Sequence, residues 1–421
     1  MIGSPLVIAE QARARMQAVL AKVKQGQDVG ASGLVKIHQN PKEADVIITS
    51  CEVSPAHGTG TLLLRMFPDS SEVISLRTSN FYDGVQAFGM AQYCLPLARS
   101  SGPEVLSWVK WCLAGSRIRR IMVLPYLPAD PLVALAVQEV TGAELCTYVM
   151  DDKNVCVDGI DDGLMARLLE KSRLRLVISP EMRDAYTAKY GLSFYVVPPL
   201  VPELLLRREP VLPPDDVNPR HGVLLGNVWG QRWLDMLRAC LRGSGFTVDW
   251  YCNQAKPAGL SFDRAEMAQD GIIFHEPVAE AALPALLANY PYALVPTDTL
   301  DGSSPPNVQA IAELSLPSRI PTMIAMAHLP VLVVGSPDTC AARFVIRFGL
   351  GEVAPYESAA IAGALSRLNG AGTQATIRGR AARLAAKLTA EDSAGWIWES
   401  LSQGQPCDAR FDMINAPPCA L

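Results

Sequence analysis

Charged side chains are scarce in this 421-residue chain, 19% against 49% hydrophobic residues. That balance is globular with an apolar tilt, and the length suits two domains of about 200 residues each. The net charge of −5 argues against a nucleic-acid binder, because such proteins present a basic face to the phosphates. The ten cysteines are scattered singly, without a C-x-x-C pair. This suits reduced thiols in a cytoplasmic protein better than a disulfide scaffold or a zinc site. There is no H-E-x-x-H, no Cys/His set and no D-x-D at a strand end, so no metal site is expected. No run of about 18 or more apolar residues offers a transmembrane span. The N-terminus lacks the basic-then-apolar layout of a signal peptide.

What is present is a repeated strand–helix pattern. Pro5 to Lys24 reads as a helix with Leu6, Ala9, Met16, Val19, Leu20 and Val23 toward one side and Arg13, Arg15, Lys22 and Lys24 elsewhere. Such a helix either packs on the protein or lies on an anionic membrane surface. From Asp45 the chain reads as strands over 46–49, 73–76, 118–124, 145–150, 174–179 and 194–197, with helices between them. This is a doubly wound α/β pattern, whose ligands sit at the carboxyl ends of the strands. His57-Gly58-Thr59-Gly60 reads as a loop before a helix starting at Thr61, with glycines that permit tight turns. The strand at 118–124 ends in Tyr126-Leu-Pro-Ala-Asp130. The strand at 145–150 ends in Asp151-Asp152. The pair could mimic a metal site, but adjacent residues on an extended chain face opposite ways and rarely chelate one ion together. One of them is a candidate for binding a ligand's hydroxyl or for general base work. The alternative is a cap for a following helix at Asp158 to Lys171, or a solvated charge.

Residues 204–220, rich in Pro, Arg and Asp, read as a linker. The pattern then restarts with strands at 222–226, 246–252, 272–275, 292–297 and 331–334. Within Glu313 to Val334, Ser315 reads as a helix cap, with Pro317 in the first turn. Ile320, Met323, Ile324 and Ala327 keep helical spacing, and His328-Leu-Pro330 ends the helix. A Ser-rich loop feeding a helix between parallel strands is either an ordinary crossover or an anion site, since free amides point at the loop. Thr376 to Leu401 reads as a final helical region, and 402–421 as a tail.

Four stretches carry a resemblance. They are Ser315-x-Pro317-Ser318-Arg319 with x-x-Pro330-Val-Leu; Val177-Ile-Ser-Pro-Glu-Met with Tyr190-Gly and Val-Val-Pro-Pro; Gly226-Asn227-x-Trp229; and Trp396-Ile-Trp398-Glu-Ser-Leu401. Together they resemble the nucleotide-sugar glycosyltransferases of GT-B fold, of the family 4-like branch, over about residues 45–401. The resemblance implies two Rossmann-like domains around a cleft. It implies an N-terminal extension (1–44), an acceptor-side domain (45–203), a linker (204–220) and a donor-binding domain (221–375). A helix over 376–401 would return to the first domain, followed by the tail. It also implies a hexosyltransferase-type enzyme of polysaccharide or glycan synthesis, retaining and metal-independent, with no cofactor. In such an enzyme the leaving phosphate takes the acceptor's proton. Donor contacts would come from Gly226, Asn227, Arg232, Ser315, Ser318, Arg319 and Thr322. The cleft would be lined by His57, Gly58, Thr59, Gly60 and Tyr126, with Asp151 and Asp152 as catalytic candidates. The partners implied are a nucleotide sugar and a glycan or lipid-linked acceptor, with a cytoplasmic location compatible with peripheral contact at the inner face of a membrane. Thr322 stands where the family has a ribose-binding glutamate, Leu314 where it has a second glutamate, and His328 where it has a small residue. A nucleotide-sugar 2-epimerase of the same fold, or a catalytically inactive module serving as a binding partner, are the alternatives.

Overall fold

A computed structural model describes residues 40–55, 57–81, 86, 88–95, 102–214, 216–252 and 260–415. The expected helix at Pro5 to Lys24, with its membrane-facing reading, lies outside the described residues, as does the tail from 416 onward. Thirteen strands are described: β1 (Glu43–Thr49), β2 (Val73–Arg77), β3 (Ala91–Cys94), β4 (Arg117–Val123), β5 (Glu144–Val149), β6 (Leu174–Val177), β7 (Tyr195–Val196), β8 (His221–Leu225), β9 (Thr247–Tyr251), β10 (Ile272–His275), β11 (Ala293–Pro296), β12 (Val331–Val334) and β13 (Gly351–Ala354). They form two sheets, ordered β3-β2-β1-β4-β5-β6-β7 and β10-β9-β8-β11-β12-β13. The registered pairs are parallel. The Val-Leu-Val-Val of β12 shows why: every residue is buried, and a run apolar on both faces fits only a sheet covered on both sides. The winding direction reverses between β1 and β4 and again between β8 and β11. In open α/β sheets the crevice beyond the strand ends at such a reversal is where ligands bind.

By contacts the described residues divide into two compact units. One holds residues up to Ser54, Pro68–Tyr148 and Gly163–Leu174; the other holds Pro55–Phe67, Val149–Asp162 and everything from Arg175. In the first, buried Asp130 accepts four hydrogen bonds, from Ser50 and Thr78 hydroxyls at 2.6 Å and from the Tyr126 and Leu127 amides at 2.9 and 2.8 Å. These bonds tie the carboxyl ends of β1, β2 and β4 together.

In the second unit, Gly222 lets β8 pass flat over the Tyr292 ring, where a Cβ would stand 2.2 Å from a ring carbon. The helix Gly58–Met66 begins at Gly58, not Thr61. His57 is its cap, and His57 Nδ1 accepts from the Gly60 amide at 3.2 Å. The helix expected from Asp158 begins at Asp162. The final helical region is two helices, Ala371–Ala385 and Ser393–Gln403. Between them Thr389 bridges to Val201, and Asp392 adopts φ +50°. The Ser393 hydroxyl donates to Met66 O at 3.1 Å, and the Phe67 and Trp398 rings lie 5.5 Å apart.

The helix Arg319–Ala327 is buried at all nine positions. Ser315 does not cap it. Ser315 ends the preceding helix, Pro306–Leu314, and Ser318 takes the cap position. The correction has a simple cause: a break at 315–318 leaves two short helices where helical spacing alone suggested one entry.

His328 ends the Arg319–Ala327 helix in the left-handed region, at φ +53°. Its buried ring pins residues 207–211: Nδ1 accepts from the Val211 amide at 3.1 Å, so Nε2 carries the proton and donates to Arg207 O at 2.9 Å. Burial pushes its pKa below the ordinary 6.5, and the nearby Arg378 and Arg207 cations add to this against the Arg207 carbonyl. The unfolded chain therefore binds this proton at higher pH than the fold does. The neutral ring's contribution is complete above pH 6.5 and is lost as pH falls from 6.5 toward the lowered value. Melting curves between pH 7.5 and 5 should show His328→Asn less stable than the parent at the upper end, with the gap closing as pH falls. Asn tolerates the left-handed position but has no proton to gain. A gap that stays constant across the range would contradict this assignment.

Candidate active site

The carboxyl end of β8 lies at the second sheet's reversal point. Gly226 leaves the strand at φ +80°, a conformation that costs glycine nothing. Its amide donates to Tyr251 O at 2.7 Å and its carbonyl accepts from Trp250 Nε1 at 2.8 Å. Asn227 Oδ1 accepts from the Cys252 thiol at 2.8 Å. The turn is held on both flanks, and a Cβ on Gly226 would stand 3.9 Å from Arg319 Cβ.

Arg319 is the unusual residue here. It is 7% exposed, and no carboxylate pairs with it among the described residues. Its one side-chain hydrogen bond among the described residues is long, from Nη1 to Leu225 O at 3.4 Å. Burial lowers its pKa to about 10, because a desolvated cation without a counter-charge is disfavoured. Arg378, also buried, shows the contrast. All five of its N–H donors are met: Nε by Gln374 Oε1, Nη1 by Val211 O and Ala327 O, and Nη2 by Tyr290 O and Pro291 O. Arg378 is a structural cation, whereas Arg319 keeps most of its donors unspent.

Around Arg319 stand the other expected residues. Ser318 makes no side-chain cap bond, and a Cβ on Gly58 would lie 3.6 Å from its hydroxyl oxygen. The start of the Gly58–Met66 helix, carrying Thr59 and Gly60, therefore abuts the start of the Arg319 helix. The latter supplies fewer free amides than its position suggests. Ile320 N–H bonds Pro317 O, Thr322 N–H bonds Ser318 O, and Pro321 has none. The guanidinium, more than the helix end, makes this place attractive to an anion.

Thr322 faces Arg65: its hydroxyl donates to Ser318 O at 2.9 Å and accepts from Arg65 Nη1 at 3.2 Å. Arg65 also binds Glu280 at 2.6 Å and Leu200 O at 2.8 Å. The buried Ser315 hydroxyl has no hydrogen-bond partner among the described residues. It lies close enough to Asp151 to favour that residue's anion. Burial nevertheless dominates and raises the Asp151 carboxyl, opposed by Lys153 and Ser315 and reinforced by Asp152.

The other candidates are engaged elsewhere. Asp152 accepts from the amides of Asn154, Val155 and Cys156 at 3.0, 2.8 and 2.7 Å and from the Tyr186 hydroxyl at 3.0 Å. This is the loop-capping role open to an Asp at that position. Arg232 turns to Thr299 Oγ1 at 2.9 Å and Asp301 at 3.0 Å. Tyr126 belongs to the other compact unit, its amide on Asp130. No group of three or more His, Cys, Asp or Glu placed to hold a metal occurs among the described residues, and no helix among them is long and apolar enough to cross a membrane.

No family model matches the sequence, and no curated protein is similar to it in sequence. In shape the chain is similar to Anabaena HepE in complex with UDP, with a TM-score of 0.58 and 13% identity over 85% of this chain and 100% of that one. The same protein with UDP and glucose gives 0.57 at 13% identity, over 85% and 99%. The apo lipopolysaccharide outer core galactosyltransferase WaaB gives 0.53 at 12% identity, over 84% and 99%. The fold is GT-B.

Two residues of this GT-B chain were not among the candidates named from sequence. Asp298, fully buried just beyond β11, accepts from Trp233 Nε1 at 2.9 Å and the Leu300 amide at 2.6 Å. Arg65 is the other. A lone arginine within Leu62-Leu63-Leu64-Arg65-Met66 is the signal that could have singled it out, since a cation in an apolar run needs a partner.

Proposed function

We propose that the chain is a glycosyltransferase that takes a sugar from a nucleoside-diphosphate donor to an acceptor hydroxyl. The observation that carries this reading is Arg319, a buried guanidinium with unspent donors beside Gly226 and Ser318. A protein keeps such a cation at a cost, since burying an unpaired charge is worth several kcal/mol against the fold. A diphosphate returns that cost by accepting bidentate, charge-assisted hydrogen bonds. Its negative charge grows as the glycosidic bond breaks, so the interaction strengthens toward the transition state.

In this reading the reaction is retaining and needs no metal, Arg319 supplying the charge that a divalent ion otherwise brings. The acceptor's proton passes to the departing phosphate. Gly226 allows the donor's phosphates to approach the backbone, and the Ser315 and Ser318 hydroxyls hold phosphate or sugar oxygens. Asp151, with its carboxyl raised by burial, receives a sugar hydroxyl. Asp152 keeps the Asp151 loop in shape. Thr322, held by Arg65, leaves the ribose without the family's glutamate. The acceptor is a glycan or a lipid-linked sugar, and contact with a membrane is peripheral.

The test is incubation with UDP-glucose, UDP-galactose, UDP-N-acetylglucosamine and GDP-mannose, each with methyl glucoside, galactoside and mannoside as acceptors, in the presence of EDTA, with assay for free nucleoside diphosphate and for glycosylated acceptor. One donor should be turned over, and Asp151→Asn should slow that turnover without weakening UDP binding. Conversion of a donor to its epimer, or UDP binding with no turnover of any donor, would overturn the transferase reading. Loss of turnover with EDTA, restored by manganese, would overturn metal independence.

A further inference from the structure

Six of the chain's seven tryptophans are buried or half-buried; Trp229 is 49% exposed. A single exposed apolar side chain is ordinary on a protein surface. Trp229 differs in where it stands and how it is held. It lies three residues beyond Gly226, on the loop that leaves the strand end next to Arg319. Every neighbour on that loop is fixed. Gly226 is tied to β9 through Tyr251 O and Trp250 Nε1, and Asn227 receives the Cys252 thiol. Val228 is 4% exposed. A Cβ on Gly230 would rest 3.7 Å from the Trp233 ring, and Trp233 is anchored to Asp298. No aromatic ring or cation pairs with Trp229 among the described residues.

We infer that Trp229 is a stacking platform for a pyranose ring, and so a specificity-determining residue of the site. The inference rests on the transferase reading above. The indole presents a large apolar face with only two rotatable bonds, so little freedom is lost when it is covered. A pyranose offers a complementary surface, because its axial C–H bonds form an apolar face edged by hydroxyls. A nucleoside diphosphate without sugar has no such face, which separates the role of Trp229 from that of Arg319. The ring covered is that of the donor or that of the acceptor; both share this chemistry.

The experiment titrates the parent protein, Trp229→Ala and Trp229→Phe with UDP and GDP, with the four nucleotide sugars of the panel, and with methyl glucoside, galactoside and mannoside in the presence of saturating UDP. Trp229→Ala should bind UDP within about twofold of the parent and melt at the same temperature. It should bind either a nucleotide sugar (donor arm) or a methyl pyranoside (acceptor arm) about 5- to 20-fold more weakly, the scale of one lost aromatic contact. Trp229→Phe should recover most of that loss. Unchanged binding of every sugar-bearing ligand to Trp229→Ala would overturn the inference, as would a loss of UDP affinity equal to the loss for the sugar-bearing ligands. Failure of both UDP and GDP to bind the parent protein overturns the transferase reading itself, and this inference with it.

Discussion

Arg319→Met should lower kcat/KM by about 2–4 kcal/mol, roughly 30- to 1000-fold, the range for removing one preorganised electrostatic donor. The same substitution should leave the melting temperature of the ligand-free protein unchanged or raise it. Among the described residues Arg319, 7% exposed, has one 3.4 Å hydrogen bond and no carboxylate partner, so an apolar side chain of similar volume removes a desolvation cost and orphans almost nothing. Replacement of buried ionic groups by hydrophobic ones is often neutral or stabilising by about 1–4 kcal/mol. Arg319→Lys should recover part of the rate, since the ammonium keeps the charge but loses the fork. A structural role predicts the opposite pattern, a clear fall in melting temperature with UDP affinity intact. Kinetics and thermal melts on the one variant separate the two.

Arg378→Met should show that opposite pattern. Four of the five N–H donors of Arg378 join the ends of three segments: Ala327 at the end of the Arg319 helix, Val211 in the segment before β8, and Tyr290 and Pro291 before β11. Methionine replaces the stem but leaves buried carbonyls and Gln374 Oε1 without their donor, each at about 1–3 kcal/mol where no other partner reaches it. The expected loss of stability is about 3–5 kcal/mol, as for breaking a buried polar network. UDP affinity measured well below the melting transition should stay close to that of the parent. A loss under about 1 kcal/mol, or a selective loss of UDP affinity, would mean that Arg378 is no structural cation. The pair of variants is informative because the two arginines share burial and a lowered pKa of about 10. They differ in whether their donors are met.

Legibility in the sequence followed the physics of each element. β10 and β12 are legible to the residue: Val-Leu-Val-Val of β12 is an apolar run buried on both faces, and Ile-Ile-Phe of β10 is a short β-branched and aromatic run even though Ile273 faces outward at the sheet edge. β3, Ala-Gln-Tyr-Cys, and β13, Gly-Glu-Val-Ala, went unread. Both stand at sheet edges, where the composition carries no apolar run and pairing with a neighbour supplies the conformation. The entry of the Arg319 helix was misplaced by three residues, because Ser315 satisfies the local pattern of a cap while the backbone uses it to end the helix before. Gly58–Gly60 read as loop for a similar reason. Glycine disfavours helix locally, and the His57 ring bond to Gly60 that starts the turn is visible only in three dimensions.

The candidate site was legible in part. Arg319, Ser318 and Gly226 were singled out by wording shared with a family, and the geometry brings them together. Periodicity alone would have left Arg319 as one more first-turn residue. What sequence does not carry is competition for partners. Arg232 and Asp152 have the right chemistry, but Asp301 and the 154–156 amides hold them. Arg65 meets Thr322 across 257 positions of chain, a separation at which no local pattern operates.

The central claim is that Arg319 holds a nucleoside diphosphate, and calorimetric titration with UDP and with GDP tests it most directly. One of the two should bind at one site per chain on the parent protein, unaffected by EDTA, and at least about 30-fold more weakly to Arg319→Met with the fold intact by thermal melt. Either nucleotide bound equally well by the parent and by Arg319→Met, or neither bound by the parent, would contradict it.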